Sequence, residues 1–169
     1  MGVIIHIYMK SRNIAIPAVY LFLIKNNKVL MIRRAGTSYF NGYYSLPAGH
    51  VEAGELPLSC MIREAKEEIG ITLLKKNVEM VHSQYRTKND ETADRVNYFF
   101  KASTWSGEPK NMELHKCDDM SWFPLAKLPI KTVPEVRLAL KCYSKKISYS
   151  EMPYNKKDLN PTQEKNAKR

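Results

Sequence analysis

Three carboxylates near the middle of the chain have a spacing that would place them on one face of a helix. Glu64, Glu67 and Glu68 stand at positions i, i+3 and i+4, and a rotation of about 100° per residue brings them into an arc of about 100°. Carboxylates at this spacing repel one another, and a helix dipole disfavours anions in its last turns. A divalent cation with oxygen ligands would compensate, since magnesium combines a few carboxylates with substrate phosphates. A solvated acidic face is the alternative, and it is the commoner situation for such glutamates in isolation.

The segment that carries these glutamates has the marks of an amphipathic helix. Pro57 suits a first helical position, and Gly70 suits a left-handed stop. The apolar residues between them recur at helical spacing on the side away from the glutamates: Leu58, Met61, Ile62, Ala65 and Ile69. We therefore predict a helix over residues 57–69 that buries one face and presents its carboxylates on the other.

A wider pattern surrounds the helix. Glu55 lies six positions after Gly49, and residues 63–71 read Arg-Glu-Ala-Lys-Glu-Glu-Ile-Gly-Ile. Together they resemble the signature of the Nudix hydrolases, in which seven positions each demand one residue type. At roughly 7% usage per type, a chance match in a given register occurs on the order of once in 10⁸. Two small departures are Ala65, a minimal aliphatic residue, and Ala48, where many relatives have a second glycine.

The resemblance implies a metal-dependent hydrolase of diphosphate linkages. In relatives, the glutamates that match Glu64, Glu67 and Glu68 hold magnesium or manganese together with the carbonyl at Gly49. Arg63 would reach back to Glu55 and pin the loop against the helix. Hydrolysis at phosphorus needs neutralised phosphate oxygens and an activated water, and either Glu67 or Glu68 could take the proton of that water.

Further candidate residues flank the signature. Arg33 and Arg34 end a predicted strand, so alternation sends them to opposite faces, and Arg34 aligns with a nucleotide-contacting arginine of MutT-like relatives. Phe40 and Tyr44 could stack on a base, as could Tyr43, although each is more often a core residue.

A second stretch favours the MutT-like branch. Residues 107–113, 116–118 and 122–125 resemble the late segment of MutT-like nucleotide diphosphatases. In that branch a loop approaches the metals, which makes Glu113 a further candidate acid or base. A solvated loop carboxylate is the alternative. We interpret His50 and His115 as surface residues.

Strand and helix signals alternate along the chain and predict an α/β fold. A continuous apolar stretch over residues 18–24 is typical of a strand covered on both faces, and an Asn-Asn turn joins it to a partner over residues 29–34. Further strands are expected near residues 77–86, 96–102 and 120–123, and a helix over residues 134–143. The resemblance implies an α/β/α sandwich around a mixed β-sheet, as a single domain. We divide the chain into an N-terminal extension (1–14), a Nudix domain (15–143) and a basic, flexible tail (144–169).

The composition indicates the cellular environment in which we expect the protein to act. The 169 residues carry 27 Lys and Arg against 17 Asp and Glu, a net charge of +10, and half of the excess lies in residues 141–169. Three scattered cysteines fit a reducing compartment, and the longest apolar run is too short to cross a bilayer. We expect a cytoplasmic protein without a membrane partner.

Three functions remain open from the sequence. The first is a pyrophosphohydrolase that converts nucleoside triphosphates, including damaged ones, to nucleoside monophosphate and pyrophosphate. The second is a hydrolase of other nucleoside diphosphate derivatives such as nucleotide sugars, dinucleoside polyphosphates or capped RNA; the Lys-rich tail is the feature that favours RNA. The third is a non-catalytic nucleotide sensor, which is disfavoured because every signature glutamate is present.

Overall fold

The computed structural model describes residues 13–87 and 93–153. Within these ranges it contains eight strands, two α-helices and one turn of 3₁₀ helix at Lys75–Asn77. The strands are β1 Ala15–Lys25, β2 Lys28–Arg34, β3 Tyr44–Ser45, β4 Ala48–His50, β5 Val78–Arg86, β6 Asp94–Ala102, β7 Cys117–Pro124 and β8 Tyr149–Met152. The helices are α1 Pro57–Ile69 and α2 Pro134–Ser144.

The strands form one mixed sheet around β1. Its main path runs β3-β2-β1-β6-β5-β8, with β4 paired to β1 and β7 paired to β2. β1 runs antiparallel to β2 and β4 but parallel to β6. The tight β1–β2 connection uses Asn26 and Asn27, both at positive φ, as in two-residue turns that match strand twist.

The helices cover opposite faces of the sheet because β1 is apolar on both sides. Leu21 and Leu23 belong to the core cluster that contains the buried face of α1. Phe22, between them, belongs to the cluster that contains the buried face of α2. The α/β/α sandwich is thereby confirmed.

Helix α1 has the predicted bounds. Pro57 occupies its first turn, and Gly70 closes it at φ 70° while its N–H and the next one bond back to carbonyls of the last turns. Gly70 suits this left-handed position because it has no Cβ.

Two elements differ from the sequence expectations. Strand β7 is longer than residues 120–123 because it pairs with β2 along most of its length. Residues 149–152, expected within a flexible tail, instead form β8, which pairs in parallel with β5. Residues 1–12 of the predicted extension and 154–169 of the predicted tail lie outside the described residues.

Across residues 13–87 and 93–153, neither helix has the length and apolarity needed to cross a membrane. Cys60, Cys117 and Cys142 are buried free thiols.

Candidate active site

Arg63 organises the polar face of α1. Its guanidinium binds both carboxylate oxygens of Glu55, with Nε–Oε1 and Nη2–Oε2 distances of 3.0 Å each. Its Nη1 donates to Glu64 at 2.7 Å and to Glu67 at 3.0 Å. Hydrogen bonds from Arg63 lower the pKa of the Glu55 carboxyl to about 2. The expected contact between Arg63 and Glu55 is therefore present, and it fastens the loop before α1 to the middle of the helix.

Gly49 lies directly against the Glu64 carboxylate. A Cβ placed on Gly49 would come within 2.0 Å of the carboxylate carbon of Glu64, which is far inside van der Waals contact. A side chain at this position would displace the carboxylate. The requirement for glycine thus comes from the close approach of α1 to strand β4.

Glu68 is the most enclosed carboxylate of the signature. Its Oε2 accepts a hydrogen bond of 2.8 Å from the backbone N–H of Ala48. Burial, with smaller contributions from the Glu64 and Glu113 carboxylates, raises its pKa to about 8. Burial also raises the pKa of Glu64. Two desolvated carboxylates therefore lie beside the β4 backbone, where a cation would stabilise their charged forms.

The arrangement fits a divalent metal in part. No three His, Cys, Asp or Glu side chains of residues 13–87 and 93–153 converge into a metal-holding cluster. Glu64 and Glu68 are close to the Gly49 backbone, whereas the side chain of Glu67 bonds to Arg63 and is 55% exposed. Carboxylate and carbonyl oxygens are the donors that Mg²⁺ and Mn²⁺ prefer. The chemistry of the donor set fits such an ion, and Glu64 and Glu67, which each bond to Arg63 through one oxygen, keep a second carboxylate oxygen for it.

A cavity of about 250 Å³ adjoins Glu68. We call it the carboxylate cavity; it is lined by Arg34, Thr37, Glu68, Glu113, Lys116 and Cys117, among others. The loop that carries Glu113 is fastened to the end of α1, since the N–H of Met112 donates to the Glu68 carbonyl. The Glu113 carboxylate pairs with Lys116 at 2.7 Å. The structure thus brings Glu113 to the signature glutamates.

A second cavity of about 240 Å³ lies on the other side of Arg34. We call it the arginine cavity; it is lined by Tyr20, Arg34, Tyr39, Arg86, Arg95 and Glu135 together with residues 48–50. Gly49 lines this cavity and also lies against the Glu64 carboxylate, whereas Glu64 itself is not one of the lining residues. His50 is exposed, as expected, and also contributes to the cavity wall.

Arg34 separates the two cavities and lines both. Its Nε donates to the carbonyl of Tyr39 at 2.8 Å, and its guanidinium lies over the Tyr39 ring at 5.5 Å. Arg33 faces away and pairs with Asp118 at 2.7 Å. Of the two arginines, Arg34 is therefore the one placed to meet a ligand.

The three aromatic candidates Phe40, Tyr43 and Tyr44 lie outside both cavities. Phe40 is 4% exposed and packs between the rings of Tyr39 and Tyr43. Tyr44 donates its hydroxyl hydrogen bond to Asp119. Neither residue lines the carboxylate or the arginine cavity, so base stacking by Phe40 or Tyr44 would need a rearrangement.

Sequence reasoning missed most of the arginine cavity. Tyr20 lies within an apolar strand, and Arg86 and Arg95 lie on strands distant from the signature. Glu135, from the first turn of α2, accepts a 2.7 Å hydrogen bond from Tyr39. Charged residues inside predicted strands were the available signal, but only the strand pairing shows that they share one cavity.

Comparison with known proteins identifies the family. The model of the NUDIX domain matches residues 15–141, so the chain belongs to the NUDIX domain family, as the signature indicated. It is 33% identical over 115 residues to the NAD-capped RNA hydrolase NudC of Pseudomonas aeruginosa, a match that spans 67% of this chain but 37% of that protein. It is 31% identical over 91 residues to the 8-oxo-dGTP diphosphatase of Escherichia coli, spanning 53% of this chain and 66% of that protein. The chain thus spans less than two thirds of each of these relatives.

Solved structures agree on the fold. The crystal structure of a MutT NUDIX hydrolase from Burkholderia pseudomallei superposes with a TM-score of 0.70 at 24% identity, covering 76% of this chain and 98% of that one. The sandwich, with α1 against the sheet, is therefore a MutT-like NUDIX architecture.

Proposed function

We propose that this protein is a metal-dependent pyrophosphohydrolase that cleaves nucleoside triphosphates, damaged or modified ones included, to nucleoside monophosphate and pyrophosphate. The observation that carries the proposal is the convergence of the Glu64 and Glu68 carboxylates on the backbone of Ala48 and Gly49, beside a cavity lined by arginines. Such a site could hold a divalent cation that neutralises a diphosphate, with the nucleoside in the adjoining cavity. Membership of the NUDIX family and the E. coli relative support it.

The residues of the site would bind the metal, accept a proton, position ligands or bind phosphate. Glu64, Glu67, Glu68 and the Gly49 carbonyl would hold Mg²⁺ or Mn²⁺, which would supply charge neutralisation and a more acidic water. Glu67 or Glu68 would accept the proton of the water that attacks phosphorus. Arg63 holds the side chains of Glu55, Glu64 and Glu67 through ion pairs. It would therefore position the metal ligands without contacting the substrate. Arg34, which lines both cavities, would stabilise phosphate charge between them.

A second candidate is the hydrolysis of other nucleoside diphosphate derivatives, with capped RNA among them. The similarity to NudC supports it, and nothing in the signature distinguishes what is attached to the diphosphate. The Lys-rich residues that favour RNA lie mainly beyond Pro153, outside the described residues. The cytoplasmic location predicted from the cysteines stays a prediction.

A product-resolved substrate screen tests both candidates. Purified protein with Mg²⁺ or Mn²⁺ is incubated with nucleoside triphosphates, 8-oxo-dGTP, ADP-ribose, NAD⁺ and NAD-capped RNA, and products are separated by chromatography. We expect nucleoside monophosphate and pyrophosphate from at least one triphosphate. Release of nucleotide from the diphosphate-linked compounds alone would favour the second candidate. Tight binding without any product would contradict both and support a nucleotide sensor.

The same screen on Glu68→Gln tests the assigned site. We expect kcat to fall by about 10²- to 10⁴-fold, since both metal binding and proton transfer are candidates for this carboxylate. Glu79→Gln is the matched control, because Glu79 is exposed on β5 and lines neither cavity. Equal activity of the two variants would contradict the role of Glu68.

A further inference from the structure

Two arginines stand directly opposite each other in the sheet. Arg86 on β5 and Arg95 on β6 are register partners in an antiparallel pair. Side chains of directly opposed residues project from the same face, and like charges in that position are destabilising. Both side chains line the arginine cavity. The fold therefore tolerates an unfavourable contact at this point of the cavity wall.

Neither guanidinium forms an ion pair within 4 Å with a carboxylate of the described residues. Arg86 is 8% exposed, and its Nε is buried without a hydrogen-bond partner. The Nε of Arg95 is also buried and without a partner, and its Nη1 contacts the His50 ring. Guanidinium nitrogens are strong donors, so leaving them unbonded inside a protein costs free energy.

Glu135 does not pair with either arginine. Its Oε1 accepts the hydrogen bond of Tyr39, and no ion pair within 4 Å joins it to Arg86 or Arg95 in the described residues. The cavity wall holds three arginines and one glutamate. It consequently presents a net positive surface with unused donors.

We propose that Arg86 and Arg95 form an oxyanion subsite for a second phosphate group, carried on the ribose of the nucleotide that the site binds. The placement of the ligand rests on the function proposed above: with the scissile diphosphate at Gly49, the nucleoside extends into the arginine cavity. A guanidinium binds phosphate with two parallel hydrogen bonds, and a phosphate between two opposed arginines removes their mutual repulsion. Among the nucleotides that the site takes, those phosphorylated at the 2′- or 3′-hydroxyl as well as at the 5′ position are therefore bound more tightly.

Binding of product-like nucleotides tests the subsite without requiring catalysis. Calorimetry compares AMP, adenosine 2′,5′-bisphosphate and adenosine 3′,5′-bisphosphate, each with Mg²⁺. We expect one bisphosphate to bind at least about tenfold more tightly than AMP, the gain of one charge-assisted hydrogen-bond pair. The isomer that gains identifies the hydroxyl, and inorganic phosphate at equal concentration measures the contribution of a free anion. Equal affinity for AMP and both bisphosphates would overturn the proposal.

Variants assign the effect to the arginines. Arg86→Gln and Arg95→Gln should each bring the affinity ratio of bisphosphate to AMP towards one. Each should keep or raise the Tm of the ligand-free protein, because the opposed charges are gone. Lys101→Gln, which removes a charge from the same strand outside the cavity, should leave the ratio unchanged. A ratio that is unaffected in both arginine variants would contradict the assignment.

Turnover extends the test. NAD⁺ and NADP⁺ differ by one 2′-phosphate, and dephospho-coenzyme A and coenzyme A differ by one 3′-phosphate; we expect a higher kcat/KM for the phosphorylated member of one pair. If no nucleotide is hydrolysed at all, the proposed function fails while the binding measurement still decides the subsite. If triphosphates are hydrolysed but bisphosphates bind with the same affinity as AMP, the subsite proposal is contradicted and the proposed function is supported.

Discussion

At the scale of single residues, the site depends on contacts that tolerate almost no change in size. Gly49 and Glu64 come from different elements, and the missing Cβ of the glycine is the space that the carboxylate occupies. Arg63 distributes its donors among three glutamates, so its loss would free all three at once. The chemistry of the site therefore depends on two residues, Gly49 and Arg63, that do not themselves react.

Gly49→Ala should lower activity while sparing the fold. The added Cβ displaces the end of a flexible side chain, not backbone, so we expect kcat/KM to fall about 10- to 100-fold, as when a ligand is misplaced, with little change in Tm. A double-mutant cycle with Glu64→Ala provides the check. Gly49→Ala should have a much smaller effect on kcat/KM when the Glu64 carboxylate is already absent; additive losses would show that the glycine acts in another way.

Glu55→Gln should destabilise the protein in a pH-dependent manner. Arg63 lowers the pKa of Glu55 to about 2, from an ordinary value near 4.5. The folded state thus gains stability from the charged carboxylate above about pH 4.5, and loses that gain as the pH falls through about 2. Urea unfolding between pH 7 and pH 2 should show wild type above Glu55→Gln at neutral pH and the two converging in acid.

The control for this measurement is Glu52→Gln, an exposed glutamate of the same loop. It should follow wild type over the whole pH range. A constant difference between wild type and Glu55→Gln down to pH 2 would contradict the role of the ion pair.

At the scale of elements, β8 extends the sheet beyond the part of the chain that matches the family. The match ends at residue 141, and β8 covers the edge of β5 at Tyr149–Met152. A buried histidine fastens it: His82 Nδ1 faces the Ile147 carbonyl, and Nε2 faces the Ser150 hydroxyl, each at 2.9 Å. A carbonyl only accepts, so Nδ1 carries the proton and Nε2 accepts from Ser150. Since Arg86 pairs with Met152, β8 supports the strand that carries one wall of the arginine cavity.

Ser150→Ala should lower the free energy of unfolding by about 1 kcal/mol, because His82 Nε2 loses its hydrogen-bond donor inside the protein. Denaturant unfolding at pH 7.5 measures the change. Ser148→Ala removes a hydroxyl from an exposed neighbour in the same segment and should be nearly neutral. If both variants are equally stable, the hydroxyl of Ser150 does not fasten β8.

At the scale of the whole molecule, the sandwich brings the two halves of the site together. Helix α1 supplies the carboxylates from one face of the sheet, while the first turn of α2 supplies Glu135 from the other. The two cavities meet at Arg34 on β2, between these layers. A ligand that spans them would contact both layers and stabilise the fold as a unit.

Mg²⁺ or Mn²⁺ should raise the Tm of the whole domain. A ligand that binds only the folded state at a hundredfold excess over its Kd contributes about 2.7 kcal/mol, which corresponds to a shift of several degrees. Thermal unfolding with metal, and again after chelation, measures it. The shift should be lost in Glu64→Gln and retained in Glu108→Gln, an exposed glutamate of the loop after β6; a shift that survives in Glu64→Gln would place the metal elsewhere.

Local patterns in the sequence determined the helix and the signature. The bounds of α1, the β1–β2 hairpin and the contact between Arg63 and Glu55 follow from helical periodicity, from turn and cap residues, and from a motif within 23 consecutive positions. Each depends on residues close in the chain, where local geometry restricts the choices. Whether Phe40 would be buried or would face a ligand stayed open, because part of its environment is formed by distant segments.

Tertiary structure alone decided the arginine cavity. Tyr39 and Glu135 lie 96 positions apart, and Arg86 meets Arg95 because of the register between β5 and β6. Register and layer packing are set by many apolar contacts across the molecule, so a slip of one residue would turn every side chain of a strand to the other face. For this reason the residues that would hold the diphosphate can be predicted from the sequence. The residues that would select the rest of the ligand can be identified only from the tertiary structure.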